Sequence, residues 1–234
     1  MMKTCAILVA AGKGERLCQK IPKPFVMLND RPMIYYSLNV LSESELIDHI
    51  LVVVAKDNIA YCQREIVEKY EFTKIDKIIE GGAQRQDSVY NGLKAVLPDT
   101  DLILIHDGAR PFVTHQLIEE TIVSAKEAGA AIVGVSPVDT IKSINGGQWI
   151  EETLARESLV MIQTPQVFNY ALLKDAYEKA YQDNFYATDD ALLVRRLGGM
   201  VKLVKGDYEN IKITFPYDLL TAEVILKIRS EKNL

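Results

Sequence analysis

The chain has 234 residues, of which 48% are hydrophobic and 25% are charged, and its net charge is −5 at pH 7. A chain of this length and composition can bury a sizeable core and lacks the signature of a disordered protein. The acidic balance argues against broad nucleic-acid binding, and no apolar run approaches the roughly 20 residues that span a bilayer. We therefore expect no nucleic-acid partner and no membrane partner.

Short apolar runs rich in β-branched residues alternate with longer amphipathic stretches. The runs predict strands at Cys5–Ala10, Ile50–Ala55, Lys77–Glu80, Leu102–His106, Ala131–Val135 and Val201–Val204. The amphipathic stretches predict helices at Pro32–Leu41, Asn58–Tyr70, Asp87–Val96, Thr114–Ala128, Tyr170–Tyr181, Asp189–Leu197 and Pro216–Arg229. This alternation predicts an α/β, Rossmann-like fold, a mostly parallel sheet with helices on both faces. Ligands of such sheets bind beyond the carboxyl ends of the strands.

The segment from about residue 138 to residue 168 interrupts this alternation. Its centre, Ile144–Gln148, contains Asn-Gly-Gly, which predicts the turn of a β-hairpin. The hairpin is either a loop decoration or an arm that reaches a partner subunit, and the residue pattern does not choose between them. Because the chain has no Pro- or Ser-rich linker and no internal repeat, we predict one domain over residues 1–234 with this β-arm inserted.

The cysteines and histidines show no paired or metal-binding spacing. An odd number of unpatterned cysteines indicates a reducing compartment, so we expect a cytoplasmic protein without a zinc site. Cys5 lies in the first apolar run and is expected in the core. His106, at the end of the fourth predicted strand, is interpreted as structural.

The strongest local feature follows the first strand, where the chain reads Ala10-Ala11-Gly12-Lys13-Gly14-Glu15-Arg16-Leu17. Glycines at the end of a strand let backbone N–H groups approach a polyphosphate, although a tight turn without a ligand explains the same residues equally well. A P-loop would need Gly-x4-Gly-Lys-Ser/Thr, and a dinucleotide-binding motif would need a small residue in place of Leu17. Neither motif is present.

Charged residues near this turn indicate phosphate chemistry. Lys23 stands between two prolines, which stiffen its backbone, so it is suited to stabilising charge at phosphorus. The other cations near the turn are Lys13, Arg16 and Lys20, of which Lys20 is interpreted as solvated. The fourth strand leads into Asp107, whose carboxylate can hold Mg²⁺ against phosphates or simply begin a turn. We favour the metal-binding interpretation.

Short motifs follow one another in order along nearly the whole chain. They are Ala10-Ala11-Gly12-x-Gly14-x-Arg16, Pro22-Lys23, Gly81-Gly82-x-x-Arg85-x-Asp87-Ser88-Val89, His106-Asp107-x-Ala109-Arg110-Pro111, Asp139-Thr140-Ile141-Lys142, Gln163-Thr164-Pro165-Gln166, Thr188-Asp189-Asp190-Ala191 and Asn210-Ile211-Lys212-Ile213-Thr214. With these motifs in this order, the chain resembles the 2-C-methyl-D-erythritol 4-phosphate cytidylyltransferase family. The combination is far more specific than any single motif.

The resemblance implies a reaction in which the phosphate of methylerythritol 4-phosphate attacks the α-phosphorus of CTP and pyrophosphate leaves. By position, Arg16 and Lys23 would stabilise the transition state, and Arg156 and Lys212 would orient the acceptor phosphate. Asp107 would also hold Mg²⁺ or another divalent cation. The residues implied to bind substrates are Ala10, Ala11, Gly12, Gly14, Gly82, Arg85, Ser88, Asp107, Arg110, Thr140 and Thr188.

The resemblance also implies a homodimer in which the β-arm crosses to the partner and helps to complete the acceptor site. The attacking phosphate is already ionised, so such a reaction needs positioning and charge neutralisation rather than a strong general base. The chain departs from the family at Pro24, where glutamine is common, and this leaves the loop geometry beside Lys23 open.

Plainer roles compete for several of these residues. From residue types alone, Arg85 pairs with Asp87, Ser88 caps a helix, Lys212 protects a strand edge and Arg156 is an ordinary arm residue. The ordered motifs reverse that preference.

Two other functions fit parts of the sequence. Ribitol-5-phosphate cytidylyltransferases share the Thr-Pro-Gln and Asn-Ile-Lys-Ile-Thr motifs, but they usually begin Ala-Gly-Gly and lack Arg-x-Asp-Ser-Val. A nucleotide-binding regulatory module without turnover would leave Arg156 and Lys212 without a purpose.

Overall fold

The structure is a computed structural model that describes residues 2–19 and 21–232. Within these residues the chain forms eleven strands: β1 Thr4–Ala10, β2 Met27–Leu28, β3 Arg31–Pro32, β4 His49–Val54, β5 Ile75–Glu80, β6 Leu102–Asp107, β7 Ala130–Val135, β8 Lys142–Asn145, β9 Trp149–Thr153, β10 Met161–Asn169 and β11 Lys202–Lys205. The same residues form seven α-helices: α1 Met33–Glu43, α2 Ile59–Cys62, α3 Arg85–Lys94, α4 His115–Ala128, α5 Tyr170–Gln182, α6 Asp190–Arg196 and α7 Pro216–Lys232.

Seven strands form the main sheet in the order β11-β7-β10-β6-β1-β4-β5. All neighbouring pairs are parallel except those of β10, which runs antiparallel to both β6 and β7. Apolar side chains bury both faces of the central strands, as a sheet covered by helices on each side requires. The predicted α/β fold is therefore confirmed, and the six predicted strands are present with ends shifted by at most two residues.

Strand β10 was not predicted, and it corrects the boundary of the inserted segment. The hairpin of β8 and β9 is confirmed, with Gly146 and Gly147 at positive φ angles of 58° and 104° in its turn. However, Met161–Asn169 pairs inside the main sheet, so the region 138–168 is not one insertion. Pro165 and its polar neighbours conceal the strand, because proline is rare in a central strand. Pro165 is accommodated because the register between β10 and β7 shifts between Ile162 and Gln166.

Helices cover both faces of the sheet. Buried residues of α1 and α4 pack on one face, and those of α3, α5 and α6 pack on the other. A third, smaller cluster lies beneath the loops near the carboxyl end of β1, where α7 packs against Leu17, Phe112 and Ile213. The fold thereby supports the loops that follow β1 and β6 from below.

Helix boundaries follow from local capping. The Oγ1 atom of Thr114 accepts the N–H of Leu117 (3.2 Å), and α4 ends at Gly129 with φ of 81°. The helix predicted over residues 58–70 is a short α-helix continued by a π-helical turn, Gln63–Glu68, instead of a regular α-helix. In the part of the chain that the structure describes, no helix is both long enough and apolar enough to cross a membrane.

Candidate active site

The loop after β1 is built around Gly14 and Lys23. Gly14 has a φ of 68°, which favours glycine, and a Cβ there would lie 2.6 Å from Cβ of Lys23. The Lys23 side chain thus packs directly over the turn. Pro24 is buried in the 3-10 turn Lys23–Phe25, whose backbone donors are Phe25 and Val26. The turn does not use an N–H at position 24, so proline fits without a lost hydrogen bond.

Gly12 has a different environment from Gly14. No atom lies within 4 Å of a Cβ built at this position, and its φ is not in the left-handed region. Neither packing within the described chain nor backbone conformation therefore requires glycine at position 12. A ligand that approaches the backbone closely would account for it.

Positive charges converge on Lys23. Burial, and after it the nearby charges of Lys212 and Arg16, together lower the pKa of Lys23 to about 8. Arg16 is exposed, and its guanidinium carbon lies 5.7 Å from the centroid of the Phe215 ring. Neither Lys23 nor Arg16 has an ion-pair partner among the described residues, so this side of the glycine turn is suited to binding an anion. Lys20 lies outside the described residues.

Asp107 is the carboxylate at the centre of this cluster. It ends β6, and its Oδ2 accepts from Nζ of Lys212 at 2.5 Å while its Oδ1 accepts from Nε of Arg85 at 3.0 Å. Burial alone would raise the pKa of Asp107, but the charges of Arg85 and Lys212 outweigh burial and hold that pKa well below its usual value. Asp107 is therefore ionised throughout the neutral pH range.

Arg85 bridges two carboxylates. Its Nη1 lies 2.9 Å from Oδ2 of Asp190, an ion pair whose angle falls outside hydrogen-bond geometry. The Asp190 side chain is 1% exposed, and its Oδ1 accepts from the Tyr177 hydroxyl at 2.5 Å. Asp190 belongs to one of the ordered sequence motifs but has no predicted role, and nothing in the sequence marks Tyr177 beyond its place in a predicted helix.

Lys212 is brought to Asp107 by its neighbours in the chain. The backbone N–H of Ile213 donates to the carbonyl of Ala109 (2.9 Å), and Nδ2 of Asn210 donates to the carbonyl of Thr164 (2.9 Å). These bonds tie the segment that contains Lys212 to the end of β6 and to β10. Lys212 thus lies in the loop between β11 and α7, and not at a strand edge as the plainer interpretation has it.

Arg110 is largely committed to the backbone. Its Nη1 and Nη2 donate to the carbonyls of Asn210 (2.8 Å) and Ile162 (3.3 Å), and the residue is 9% exposed. Nε has no partner among the described residues. Arg110 also lines the groove that contains Asp107, and its contact with substrate stays a prediction.

The loop between β5 and α3 lies against the loop after β1. A Cβ built on Gly81 would lie 2.2 Å from Cβ of Ala11, so the two loops touch. The Oγ atom of Ser88 accepts the N–H of Gly82 (3.0 Å) and donates to the carbonyl of Gln84 (3.1 Å). Ser88 therefore holds this loop in shape, which is more specific than the simple capping role of the plainer interpretation.

Ala10, at the end of β1, is buried beside Gly108. A Cβ built on Gly108 would lie 3.1 Å from the Cβ of Ala10.

Two predicted acceptor-site residues lie away from the cationic cluster. Nη1 of Arg156 donates to the carbonyl of Val138 (2.6 Å) at the base of the arm, and Thr140 is exposed nearby. Among residues 2–19 and 21–232, neither Arg156 nor Thr140 belongs to the lining of the groove that contains Asp107 and Lys212. Thr188, in contrast, lines the same open groove as Asp107. The full lining of that groove is Arg85, Asp107, Arg110, Ile162, Gln163, Thr164, Gln166, Thr188, Asp189, Leu192 and Lys212.

His106 has a structural role, as expected. It is fully buried, Nε2 lies 3.0 Å from the carbonyl of Arg110, and Nδ1 lies 3.0 Å from Oγ1 of Thr164. Because Thr164 also accepts the N–H of Asp107 (3.1 Å), its hydroxyl donates to Nδ1 and the ring proton sits on Nε2. Burial lowers the pKa of His106 to about 4. A neutral, satisfied histidine thus anchors the backbone of Asp107.

The carboxylate of Asp107 suits a cation that arrives with phosphates. Within the described ranges, no three His, Cys, Asp or Glu side chains are placed to hold a metal by themselves. Mg²⁺ commonly binds one or two carboxylates and completes its shell with waters and substrate phosphates. A single carboxylate beside the loop after β1 fits that pattern.

The fold and the site together define an α/β polyphosphate-binding protein of the nucleotidyltransferase class. A family model of 2-C-methyl-D-erythritol 4-phosphate cytidylyltransferase matches residues 4–228. Enzymes of that name from Alkaliphilus oremlandii and Clostridium botulinum (strain Langeland) are 45% and 47% identical to the chain, over 98% and 97% of its length and 97% and 99% of theirs. The chain belongs to the 2-C-methyl-D-erythritol 4-phosphate cytidylyltransferase family.

Solved structures are similar as well. The 4-diphosphocytidyl-2C-methyl-D-erythritol synthase of Anaerococcus prevotii superposes with a TM-score of 0.86 at 34% identity, covering 97% of this chain and 96% of its own. The cytidylyltransferase of Thermus thermophilus superposes with a TM-score of 0.77 at 31% identity, covering 94% and 98%. Both support the same fold and the same family.

Proposed function

We propose that this chain transfers CMP from CTP to 2-C-methyl-D-erythritol 4-phosphate in isoprenoid precursor biosynthesis. A phosphate oxygen of the acceptor bonds to the α-phosphorus of CTP, the bond from that phosphorus to the bridging oxygen breaks, and pyrophosphate leaves. The product is 4-diphosphocytidyl-2-C-methyl-D-erythritol. The observation that carries the proposal is the convergence of Lys23, Arg16 and Lys212 around Asp107, at the carboxyl end of the sheet, in a member of this family.

The donor nucleotide would lie along the loop after β1. Gly12 leaves space for the triphosphate, and the touching loops of Ala11 and Gly81-Gly82 would bound the cytidine. Lys23 and Arg16 would neutralise the charge that builds on the α-phosphate oxygens during transfer. Mg²⁺ held by Asp107 would supply further charge neutralisation on the triphosphate.

The acceptor would occupy the groove next to Asp107. Lys212 and Thr188 both line it, so an anionic sugar phosphate has a cation and a hydroxyl to contact. The acceptor phosphate is already ionised at neutral pH, so the chain has to align two anions and lower their repulsion. This requirement accounts for a site rich in Lys and Arg without a general base.

The arm supports a homodimer. Three large apolar side chains of the arm are exposed: Trp149 by 79%, Ile150 by 64% and Ile144 by 61%. Large apolar side chains left exposed on a protruding hairpin favour a protein interface there. We infer that the arm of one subunit places Arg156 and Thr140 at the acceptor site of the other. A cytoplasmic location fits the three free cysteines, two of which are buried.

Pyrophosphate release with CTP and alternative acceptors tests the function. The purified protein is incubated with CTP, divalent cation and either methylerythritol 4-phosphate or ribitol 5-phosphate. We expect turnover with the first acceptor. Turnover with ribitol 5-phosphate alone would assign the chain to the other cytidylyltransferase activity, and CTP binding without any product would assign it to nucleotide sensing.

A further inference from the structure

A buried chain of polar groups leads from helix α5 to the centre of the candidate active site. The Tyr177 hydroxyl donates to Asp190, Asp190 pairs with Arg85, and Arg85 donates to Asp107. The four residues come from four different elements: α5, α6, α3 and β6. Tyr177 is fully buried and stacks on the ring of Tyr90 at a centroid distance of 5.8 Å.

Burying the carboxyl group of Asp190 costs free energy, which its contacts must offset. The Asp190 carboxyl group is 1% exposed, so it has lost its water and depends on Arg85 and the Tyr177 hydroxyl for compensation. Asp190 lies at the start of α6, but the side chain that caps this helix is Asp189, which accepts the N–H of Leu192 at 3.0 Å. Asp190 is therefore not needed as a cap, and its contacts face Arg85.

Charge balance shows what Asp190 can do for Asp107. Arg85 and Lys212 carry two positive charges, and both pair with Asp107. With Asp190 present, Arg85 divides its guanidinium between two carboxylates, so Nε alone meets Oδ1 of Asp107. Without Asp190, the planar fork of Arg85 could turn to hold both oxygens of Asp107, as bidentate arginine–carboxylate pairs do. Oδ2 of Asp107 would then be less available to Lys212 and to a ligand.

We propose that Tyr177 and Asp190 are positioning residues, which hold Arg85 in a one-point contact and so keep Oδ2 of Asp107 directed toward the reacting groups. This inference rests on the proposed CMP transfer. Neither Tyr177 nor Asp190 lines the groove that contains Asp107, so both act through Arg85. The expected effect falls on the transfer step, because Asp107 is misdirected while the loop that would bind CTP is unchanged.

Conservative variants test the proposal. Tyr177→Phe removes one hydroxyl and Asp190→Asn removes one charge; we expect each to lower kcat by about tenfold, with KM for CTP changed by less than about twofold. The matched control is Tyr181→Phe, which also removes a hydroxyl that donates to a carboxylate, Asp87 at 2.7 Å, outside this chain of contacts. We expect its kcat to stay within about twofold of wild type.

A double-mutant cycle separates positioning from a general structural effect. In an Arg85→Met background, Asp190→Asn should lower kcat no further, because Asp190 acts only through Arg85. Independent losses that multiply in this background, or wild-type kcat in folded Tyr177→Phe, would overturn the proposal. If Asp190→Asn does not fold, the comparison of Tyr177→Phe with Tyr181→Phe decides. Wild-type turnover is measured first, since its absence refutes the proposed function and not the positioning.

Discussion

Replacing Lys23 with methionine should stabilise the unliganded protein while it abolishes activity. Methionine keeps the aliphatic stem that packs against Gly14 and removes the charge. The pKa of Lys23 falls from its ordinary value of 10.5 to about 8, first through burial and then through Lys212 and Arg16, so the folded state disfavours the charged form. The free energy of unfolding should therefore increase when this charge is removed.

The size of the gain follows from the pKa shift. At 1.36 kcal/mol per pKa unit, the full shift would correspond to about 3 kcal/mol. Lys23 is only partly buried, and solvent screening reduces the expected gain to about 1–2 kcal/mol. Because the folded-state pKa lies below the unfolded-state pKa, the gain should be full below about pH 8 and should fade as the pH rises toward 10.5.

Urea unfolding at pH 7 and at pH 10 measures this gain, with CTP and divalent cation absent. Lys126→Met is the matched control, since Lys126 is exposed on α4 and has no ion-pair partner among the described residues. It should shift stability by no more than about 0.5 kcal/mol at either pH. A Lys23→Met protein no more stable than this control at pH 7 would refute the view that burial and the nearby cations disfavour the charge of Lys23.

Three further predictions address the same site. The kcat/KM for CTP should fall as the pH rises through about 8, because Lys23 of the free enzyme loses its proton there. The kcat should fall only at higher pH, because bound triphosphate raises the pKa of Lys23. Coincident pH profiles of kcat/KM and kcat would contradict this. Gly14→Ala should lower kcat/KM at least about tenfold. The control is Gly129→Ala, since Gly129 is also at positive φ but has open space around it; this change should only lower stability, by about 1 kcal/mol. Equal activities of the two variants would contradict the packing of Lys23 on Gly14. Lys212→Ala and Arg156→Ala should each be inactive, and their co-expression should restore about a quarter of wild-type activity if subunits share sites, whereas no recovery would contradict the shared site.

Much of the fold could be predicted because its strands are continuous apolar runs. β1 and β4 are buried on both faces, and such strands stand out from the amphipathic helices that separate them. β10 was missed because Gln163, Thr164 and Gln166 are buried in it, and the first two find hydrogen-bond partners far away in the chain, the carbonyl of Asp207 for Gln163 and the N–H of Asp107 for Thr164. Local patterns do not reveal that polar residues will find partners far away in the chain.

The site was predictable where its residues share one loop or one motif. Lys23, Arg16 and Asp107 follow from their places after β1 and at the end of β6. The partnership of Arg85 with Asp190 spans more than one hundred residues, and neither spacing nor composition predicts it. Arg110 likewise looks like a ligand-binding cation in sequence, while in the fold its two Nη atoms hold backbone carbonyls.

A structure with CTP bound tests the central claim most directly. We expect the triphosphate along the loop after β1, with Nζ of Lys23 and the Arg16 guanidinium within about 3 Å of phosphate oxygens. We expect the cytosine beside Gly81 and Gly82, and Asp107 facing the phosphates directly or through a cation. A triphosphate bound elsewhere, or bound here with Lys23 and Arg16 turned away, would contradict the account.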